Sequence, residues 1–289
     1  MKVLIAGVGG QIGRALVETA PRDARISAPS RAELDLTRPG TVERAMKAEA
    51  PDLVINAAGY TAVDRAEAEQ DEAAAVNERG AGFLAQAAAT AGARMLHYST
   101  DYVFDGAGRR PYTPGDVPNP LSVYGATKLA GERAVLAALG DRAAVIRTAW
   151  VYAPKGRNFV LTMLRLMNEQ DEVRVVSDQI GTPTAAASAA QVAWAMAARG
   201  DVHGIFHWTD DGTASWFDFA VAILKEGRAL GLLRRDVTVR PITTEDYPTP
   251  ARRPRYSVLD CSAARDATGL TPEHWRAALR RTLGEISGG

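Results

Sequence analysis

Short strand-like runs alternate with longer helical stretches through the first half of the chain. The predicted strands lie at 2–6, 24–28, 52–56, 94–98 and 144–148. A run such as 2–6, which is apolar without alternation, is typical of a strand buried on both faces of a sheet. Strands that alternate with helices pair in parallel through right-handed crossovers. The pattern predicts an α/β fold with a doubly wound parallel sheet, that is, a Rossmann fold.

A glycine-rich turn follows the first strand and opens a helix. It contains Gly7, Gly10 and Gly13, with Gln11 and Ile12 between the last two glycines. Glycine allows the backbone to approach a pyrophosphate closely, and the helix N-terminus attracts phosphate charge. The spacing differs from the commonest dehydrogenase pattern, so a glycine turn of another α/β protein is the alternative. Its place after the first strand favours a dinucleotide site.

The second predicted strand ends in residues suited to a phosphate. Ser30 and Arg31 stand where folds that prefer NAD place an acid for the ribose 2′-hydroxyl. A hydroxyl and a guanidinium suit the 2′-phosphate of NADPH better. We therefore expect NADPH, with NADH as the alternative cofactor, although Arg31 could equally be a solvated loop residue. Asp35 and Leu36 follow and are expected beside the adenine ring.

Small and polar residues follow the third and fourth predicted strands. They are Ala58, Gly59, Tyr60 and Thr61 after the third strand, and Tyr98, Ser99, Thr100 and Asp101 at the end of the fourth. Ligands of parallel sheets bind at the carboxyl ends of the strands. These residues and the glycine turn are therefore expected to face one ligand.

Tyr124 and Lys128 begin a predicted helix that follows Asn119–Pro120. Because they are four residues apart, their side chains share one face of the helix. A cation beside a phenol lowers its pKa from roughly 10 toward the working range. The pair is a candidate proton donor, although this spacing is frequent on solvated helices. The neighbouring glycine turn and Thr100 favour catalysis.

The second half of the chain is less regular. It contains predicted strands at 173–176 and 205–208, and Ser215 is expected to cap a helix that ends near Leu230. We assign residues 1–148, with roughly 172–200, to the NAD(P)-binding domain. Residues 149–171 and 201–289 are assigned to a smaller C-terminal α/β lobe that binds the substrate.

Charge and cysteine content narrow the functional classes. Lys and Arg together number 34, as do Asp and Glu, so no global field attracts nucleic acid or an anionic membrane. The single cysteine, Cys261, is expected to be a packed thiol of a reducing compartment. With no basic–apolar leader and no apolar run near roughly 18 residues, we expect a cytoplasmic protein.

Several further residues are candidates for binding. Arg252 and Arg253 lie in a proline-stiffened loop and could hold a phosphate of the substrate, with a basic surface loop as the alternative. For Trp216 we prefer a place in the core. His203 and His207 are four residues apart on a strand-like run that lacks a third ligand, so we expect no metal site.

The chain resembles the dTDP-4-dehydrorhamnose reductases, a branch of the extended short-chain dehydrogenase/reductases. The resemblance rests on the stretches 7–13, 56–58, 60–67, 98–104, 120–132, 147–152, 178–184 and 248–254. The glycine turn and Tyr-x-x-x-Lys indicate only the superfamily. The stretches at 98–104, 178–184 and 248–254 are much more specific to this branch.

The resemblance implies NAD(P)H-dependent reduction of the 4-keto group of dTDP-4-dehydro-β-L-rhamnose. Tyr124 would donate the proton, Lys128 would hold the nicotinamide ribose, and Thr100 would bind the carbonyl oxygen. Asp101 and Trp150 would contact the sugar. Some relatives are metal-bridged dimers, but Ala15 and 186–187 offer no carboxylate here, so the protein could be a monomer or a homodimer.

Two other functions stay open on the sequence. One is reduction of another dTDP-4-keto-6-deoxyhexose, because a single sequence does not show which sugar the specificity loops select. The other is a non-catalytic NADP-binding role, since this branch also resembles the regulatory subunit of methionine adenosyltransferase. Retention of Thr100, Tyr124 and Lys128 together argues against the loss of catalysis.

Overall fold

Strands and helices alternate regularly up to the fifth strand of the structure. The computed structural model describes residues 1–288. Its strands are β1 (Lys2–Ala6), β2 (Arg25–Ser27), β3 (Leu53–Asn56), β4 (Arg94–Thr100), β5 (Ala143–Thr148), β6 (Val151–Tyr152), β7 (Glu172–Val176), β8 (Ile180–Gly181), β9 (Thr184–Ala185), β10 (Gly204–His207), β11 (Ala214–Ser215) and β12 (Thr238–Ile242). Its α-helices are α1 (Gln11–Glu18), α2 (Pro39–Glu49), α3 (Val63–Ala66), α4 (Gln70–Ala74), α5 (Ala81–Thr90), α6 (Val123–Leu139), α7 (Phe159–Glu169), α8 (Ala186–Ala197), α9 (Trp216–Ala229), α10 (Ser262–Thr268) and α11 (Trp275–Gly288).

Six strands form the main sheet, in the order β2-β1-β3-β4-β5-β10. Every pairing within it is parallel. The strand order reverses direction between β1 and β3, and α/β sheets bind ligands in the crevice at such a point. The doubly wound parallel sheet predicted from the sequence is confirmed.

Helices cover both faces of this sheet. Successive side chains of a strand point to opposite faces, so each strand contributes to two cores. Val3 and Ile5 of β1 pack in one core with α1 and α8. Leu4 and Ala6 pack in the other core with α2, α5 and α6. The central strands are therefore buried on both faces, which explains why the sequence shows apolar runs and not alternation.

The smaller lobe has its own hydrophobic core, between α7, α9 and α11, which is called the second core below. There β7 pairs with β12, outside the main sheet, and Val173 and Val175 are buried in this second core. The strand β10, in contrast, extends the main sheet beside β5. The predicted division into two domains stays a prediction, although 172–176 was assigned to the NAD(P)-binding domain and 204–207 to the substrate lobe. Both strands are short, and the strand that each one pairs with is distant in sequence.

One turn of π-helix, Ala75–Gly80, joins α4 to α5. The π-turn aims the carbonyl of Asn77 at α6, where Gly131 approaches it closely. A β-carbon on Gly131 would lie 2.0 Å from the Asn77 oxygen. The packing of α6 on this turn therefore requires a residue without a side chain.

We expect Gly131→Ala to lower the free energy of unfolding by about 3 kcal/mol, because the added methyl forces the two backbones apart. Gly82→Ala is the matched control: its β-carbon meets the Ala134 methyl at an ordinary 3.4 Å. That helical substitution should stabilise the protein by about 0.5–1 kcal/mol. Urea denaturation of both variants measures the difference; equal stabilities would contradict the close contact.

Candidate active site

The glycine turn between β1 and α1 forms a cradle at the switch point of the sheet. Gly7 has a φ of +89°, and a β-carbon there would lie 2.4 Å from the Ala58 nitrogen. A β-carbon on Gly13 would lie 2.2 Å from the Gly7 oxygen. Gly10 caps α1 without a side-chain hydrogen bond, so its first N–H groups face outward for an anion. This backbone fits a dinucleotide pyrophosphate.

Gln11 connects this turn to the smaller lobe. Its Nε2 donates to the Val151 oxygen at 3.1 Å, and its Oε1 accepts from Asn158 Nδ2 at 2.8 Å. Asn158 also caps α7, by accepting from the Leu161 N–H. The side chain of Gln11 therefore fixes the segment 151–158 above the glycine turn.

Helix α6 carries Tyr124 and Lys128 in its first two turns. Ser122 caps the helix by accepting from the Gly125 N–H at 3.2 Å. A β-carbon on Gly125 would lie 2.2 Å from the Tyr102 oxygen, so the helix starts in contact with the turn after β4. Lys128 Nζ then reaches the Tyr98 carbonyl at 2.5 Å. The helix thus presents both side chains at the carboxyl edge of the sheet.

The pKa values of this pair depart from the sequence-based prediction. Burial raises the pKa of Tyr124 to about 12, while a hydrogen bond from Thr100 opposes the shift. Burial lowers the pKa of Lys128 to about 8, while the charge of Glu132 opposes it. The phenol pKa lies above its ordinary value and not below it, because loss of hydration penalises the charged form. Tyr124 is consequently protonated at neutral pH.

Thr100 and Asp101 form the end of β4 beside the phenol. The Thr100 hydroxyl donates to Asp101 Oδ1 at 3.1 Å and accepts from the Tyr102 N–H at 3.2 Å. Asp101 is only 2% exposed. Burial raises the pKa of its carboxyl from 3.8 to about 6, against the hydrogen bonds that it accepts. The site therefore contains a carboxyl whose charge depends on pH in the physiological range.

One cleft of about 660 Å³ brings many of the predicted residues together. The predicted residues that line it are Gly10, Gln11, Ile12, Ala58, Gly59, Thr61, Tyr98, Thr100, Asp101, Tyr124, Lys128 and Trp150. Gly7 and Gly13 lie beneath its floor, where their missing side chains make room. The phenol of Tyr98 points away into the core and donates to the Ala189 oxygen. Tyr60 also turns away, since its hydroxyl donates to Glu69.

The residues after β2 lie outside this cleft. Ser30 donates from both its N–H and its hydroxyl to Glu33 Oε2, each at 2.8 Å, and Arg31 is exposed. Asp35 accepts from Thr37. Leu36 is buried under Gly80 and is not a surface for an adenine ring. Its predicted contact with the cofactor stays a prediction, which the backbone of Leu36 would have to make.

The two arginines of the proline-stiffened loop have different environments. Arg253 donates to both carboxylate oxygens of Asp64, at 3.0 and 2.8 Å, which occupies its guanidinium. Arg252 is exposed and lines a neighbouring cleft of about 500 Å³ together with Arg255 and Tyr247. Arg252 is thus open to an anion, whereas Arg253 fixes the loop to α3.

Trp150 and Trp216 form one wall of the cleft. Their rings stack with centroids 3.6 Å apart and planes at 7°. Trp150 has a φ of +47°, unusual for a residue with a side chain, and its ring lies on Gly181. Trp216 packs on the second core and also lines the cleft. The preference for Trp216 as a core residue alone is therefore wrong.

Sequence reasoning did not find three other residues near the cleft. Asn77 binds the Tyr60 backbone through both amide atoms and donates to Thr127 Oγ1. An asparagine within an alanine-rich helical stretch is unfavourable, and that was the only signal. Lys155 and Arg157 line the cleft above the glycine turn. No motif surrounds them, so sequence reasoning had no basis for selecting them.

Of the remaining residues, His97, His207 and Cys261 lie in the core, whereas His203 is exposed. His97 is buried against Asn56, and His207 against the Tyr112 carbonyl. Cys261 is buried, and burial raises the pKa of its thiol. Within residues 1–288, no group of three or more His, Cys, Asp or Glu side chains could hold a metal ion. None of the helices described is long and apolar enough to cross a membrane.

Comparison with known proteins identifies the family. A family model described as the RmlD substrate binding domain matches residues 1–287. A dTDP-4-dehydrorhamnose reductase of Aggregatibacter actinomycetemcomitans is 42% identical over 286 residues, which cover 96% of this chain and 97% of that protein. The chain belongs to the dTDP-4-dehydrorhamnose reductase family. The resemblance inferred from its motifs is confirmed.

Solved structures of dTDP-4-dehydrorhamnose reductases match the whole fold. The protein from Clostridium acetobutylicum is 40% identical with a TM-score of 0.92, covering 99% of both chains. The protein from Bacillus anthracis, solved in complex with NADP, is 35% identical with a TM-score of 0.93 and covers 98% of this chain and 99% of that one. These reductases do not favour the non-catalytic alternative.

The buried carboxyl of Asp101 makes a prediction about stability. Its raised pKa means that the native protein binds more protons than the unfolded chain between pH 3.8 and about 6. Stability from this group is therefore lost as the pH rises through that window. Because asparagine cannot ionise, we expect Asp101→Asn to raise the free energy of unfolding by about 1–3 kcal/mol at neutral pH and by little below pH ~4.

Urea denaturation across this pH range tests the effect. Asp210→Asn is the matched control, since burial also raises the pKa of Asp210 to about 6. It should show the same pH dependence without affecting turnover. A gain for Asp101→Asn that is equal at every pH would contradict ionisation as the cause.

Proposed function

We propose that the chain reduces the 4-keto group of dTDP-4-dehydro-β-L-rhamnose to give dTDP-L-rhamnose, with NADPH as reductant. The convergence of Tyr124, Lys128 and Thr100 at the glycine turn, in one cleft, carries the proposal. The names of the relatives support the substrate, and the NADP complex of the Bacillus anthracis relative supports the cofactor. The nicotinamide supplies the hydride when it is bound.

Tyr124 is the proposed proton donor. Reduction of a ketone leaves negative charge on its oxygen, and a donor already in place lowers the barrier. The pKa of about 12 keeps the phenol protonated, so its proton is present when the oxygen needs it. An alkoxide is a stronger base than a phenolate, so the transfer is favourable. Thr100, which shares a hydrogen bond with Tyr124, would orient the same oxygen.

Lys128 would hold the nicotinamide ribose. Its ammonium is nearly buried and fixed by the Tyr98 carbonyl, which leaves two N–H groups for other acceptors. Its pKa of about 8 means that most molecules carry the positive charge at neutral pH. That charge would also stabilise Tyr124 as a phenolate after the proton has left.

The sugar nucleotide is proposed to lie between the two lobes. Asp101 and the stacked Trp150–Trp216 pair would contact the sugar, because a carboxyl and flat aromatic faces suit hydroxyl and C–H edges. Arg252, exposed in the neighbouring cleft, would bind the diphosphate. We further propose that the main sheet unit binds the cofactor. The oligomeric state, monomer or homodimer, and a cytoplasmic location belong to the same proposal.

Replacing the phenol separates chemistry from binding. We expect Tyr124→Phe to lower turnover of dTDP-4-dehydro-L-rhamnose by about 10²–10⁴-fold, the range for a lost general acid. NADPH affinity should change by no more than about twofold, because Lys128, which would hold the nicotinamide ribose, is unchanged. NADPH oxidation and fluorescence titration give the two quantities. Tyr256→Phe, which removes a hydroxyl outside the cleft, is the control; equal turnover in both variants would exclude Tyr124 as the acid.

The 2′-phosphate contact also has a direct test. We expect Arg31→Ala to weaken NADPH binding by about tenfold and NADH binding hardly at all, because only NADPH carries the phosphate that pairs with the guanidinium. Arg22→Ala is the control. It removes the same charge from the turn before β2, whereas Arg31 follows that strand. Calorimetric dissociation constants for both cofactors decide: an unchanged ratio in Arg31→Ala would remove Arg31 from the site.

A further inference from the structure

A buried ion pair lies directly behind the candidate active site. Arg147 donates from Nε to Glu132 Oε1 at 2.9 Å and from Nη2 to Oε2 at 2.7 Å. Both side chains are at most 2% exposed. The Ser99 hydroxyl donates to the same Glu132 Oε1. Charges so fully removed from water are costly, and each is tolerated only because the other is present.

Each member of this network is adjacent to a residue of the cleft. Glu132 stands four residues after Lys128, which stands four after Tyr124, so the three share one face of α6. Ser99 directly precedes Thr100 at the end of β4. Arg147 directly precedes Thr148, which lines the cleft. The network therefore ties α6 to the ends of both strands at the level of the reacting groups.

The surroundings of Lys128 explain why a carboxylate is useful there. The titratable and charged groups near it are Tyr124 and Glu132 on α6, His97, Tyr98 and Asp101 on β4 and the turn after it, and Arg147 on β5. Burial, followed by the Lys128 charge, lowers the pKa of His97 well below its ordinary value, so that ring is neutral. Glu132 is the group whose charge opposes the effect of burial on Lys128.

We propose that Glu132, held by Arg147 and Ser99, is a positioning residue for Lys128: it fixes α6 to the strand ends and places a buried negative charge one helical turn from the Lys128 ammonium. Glu132 touches neither substrate nor cofactor and acts only through Lys128. The proposal rests on the proposed function, since it concerns how Lys128 meets a nicotinamide cofactor.

The test removes both buried charges together. Glu132→Gln alone would strand the Arg147 cation in the core and unfold the protein. The double variant Glu132→Gln/Arg147→Met leaves no uncompensated charge, so it is expected to fold. NADPH dissociation constants are measured from pH ~6 to ~10. We expect the alkaline limb, where binding weakens, to move down by roughly one pH unit, which is about tenfold weaker binding on that limb.

The matched control is Glu226→Gln/Arg280→Met. It removes an ion pair of the same composition, 2.9 Å long, between α9 and α11. Its alkaline limb should coincide with that of the wild type. A Glu132/Arg147 double variant that melts like the control and keeps the wild-type limb would overturn the proposal, because the pair would then be structural only.

A second variant decides the matter if the double variant does not fold. Glu132→Asp keeps the negative charge but shortens the side chain by one methylene. The alkaline limb of its NADPH-binding profile should therefore also move down, by less than in the double variant. A lowered melting temperature with an unmoved limb would overturn the proposal. Wild-type turnover of the dTDP sugar is measured in parallel. If turnover is absent, the proposed function fails, while the NADPH-binding profile still tests Glu132.

Discussion

The close approach of α6 to its neighbours is the constraint on which the site depends. Gly125 lies against the Tyr102 carbonyl, and Gly131 against the Asn77 carbonyl, so the helix backbone packs directly on two carbonyl groups. Tyr124 and Lys128 lie before and between these two contacts. The helix in this position keeps Lys128 Nζ in hydrogen-bond contact with the Tyr98 carbonyl, at 2.5 Å. Two absent side chains thus determine where the reactive ones lie.

Loss of hydration governs the chemistry of this position. Tyr124, Lys128 and Asp101 are all shifted toward their neutral forms, because burial penalises each charge. A neutral phenol is the form that can donate a proton, so burial favours the reductive direction. Lys128 is the group for which neutrality would be harmful, and it is the one with a buried carboxylate on the next turn of its helix.

The sequence predicted the main sheet well because central parallel strands must be apolar on both faces. It also predicted that the strand ends converge, since that follows from topology alone. It did not separate β7 from β10, because each is a short run whose pairing partner is remote. It treated Arg252 and Arg253 alike, because Asp64, which distinguishes them, is remote in sequence. It gave no sign that the Leu36 side chain is buried, because Gly80, which covers it, belongs to a π-turn without a sequence signature.

Trp150 has a consequence for how this protein can change over evolutionary time. Its positive φ costs about 1 kcal/mol or more, and its ring lies where a β-carbon on Gly181 would be only 2.7 Å away. Any side chain at 181 would displace the indole and uncover Trp216. Glycine at 150 would relieve the backbone and open a hole in the wall of the cleft. Substitutions at positions 150 and 181 are therefore coupled, because a change at either position alters the packing at the other.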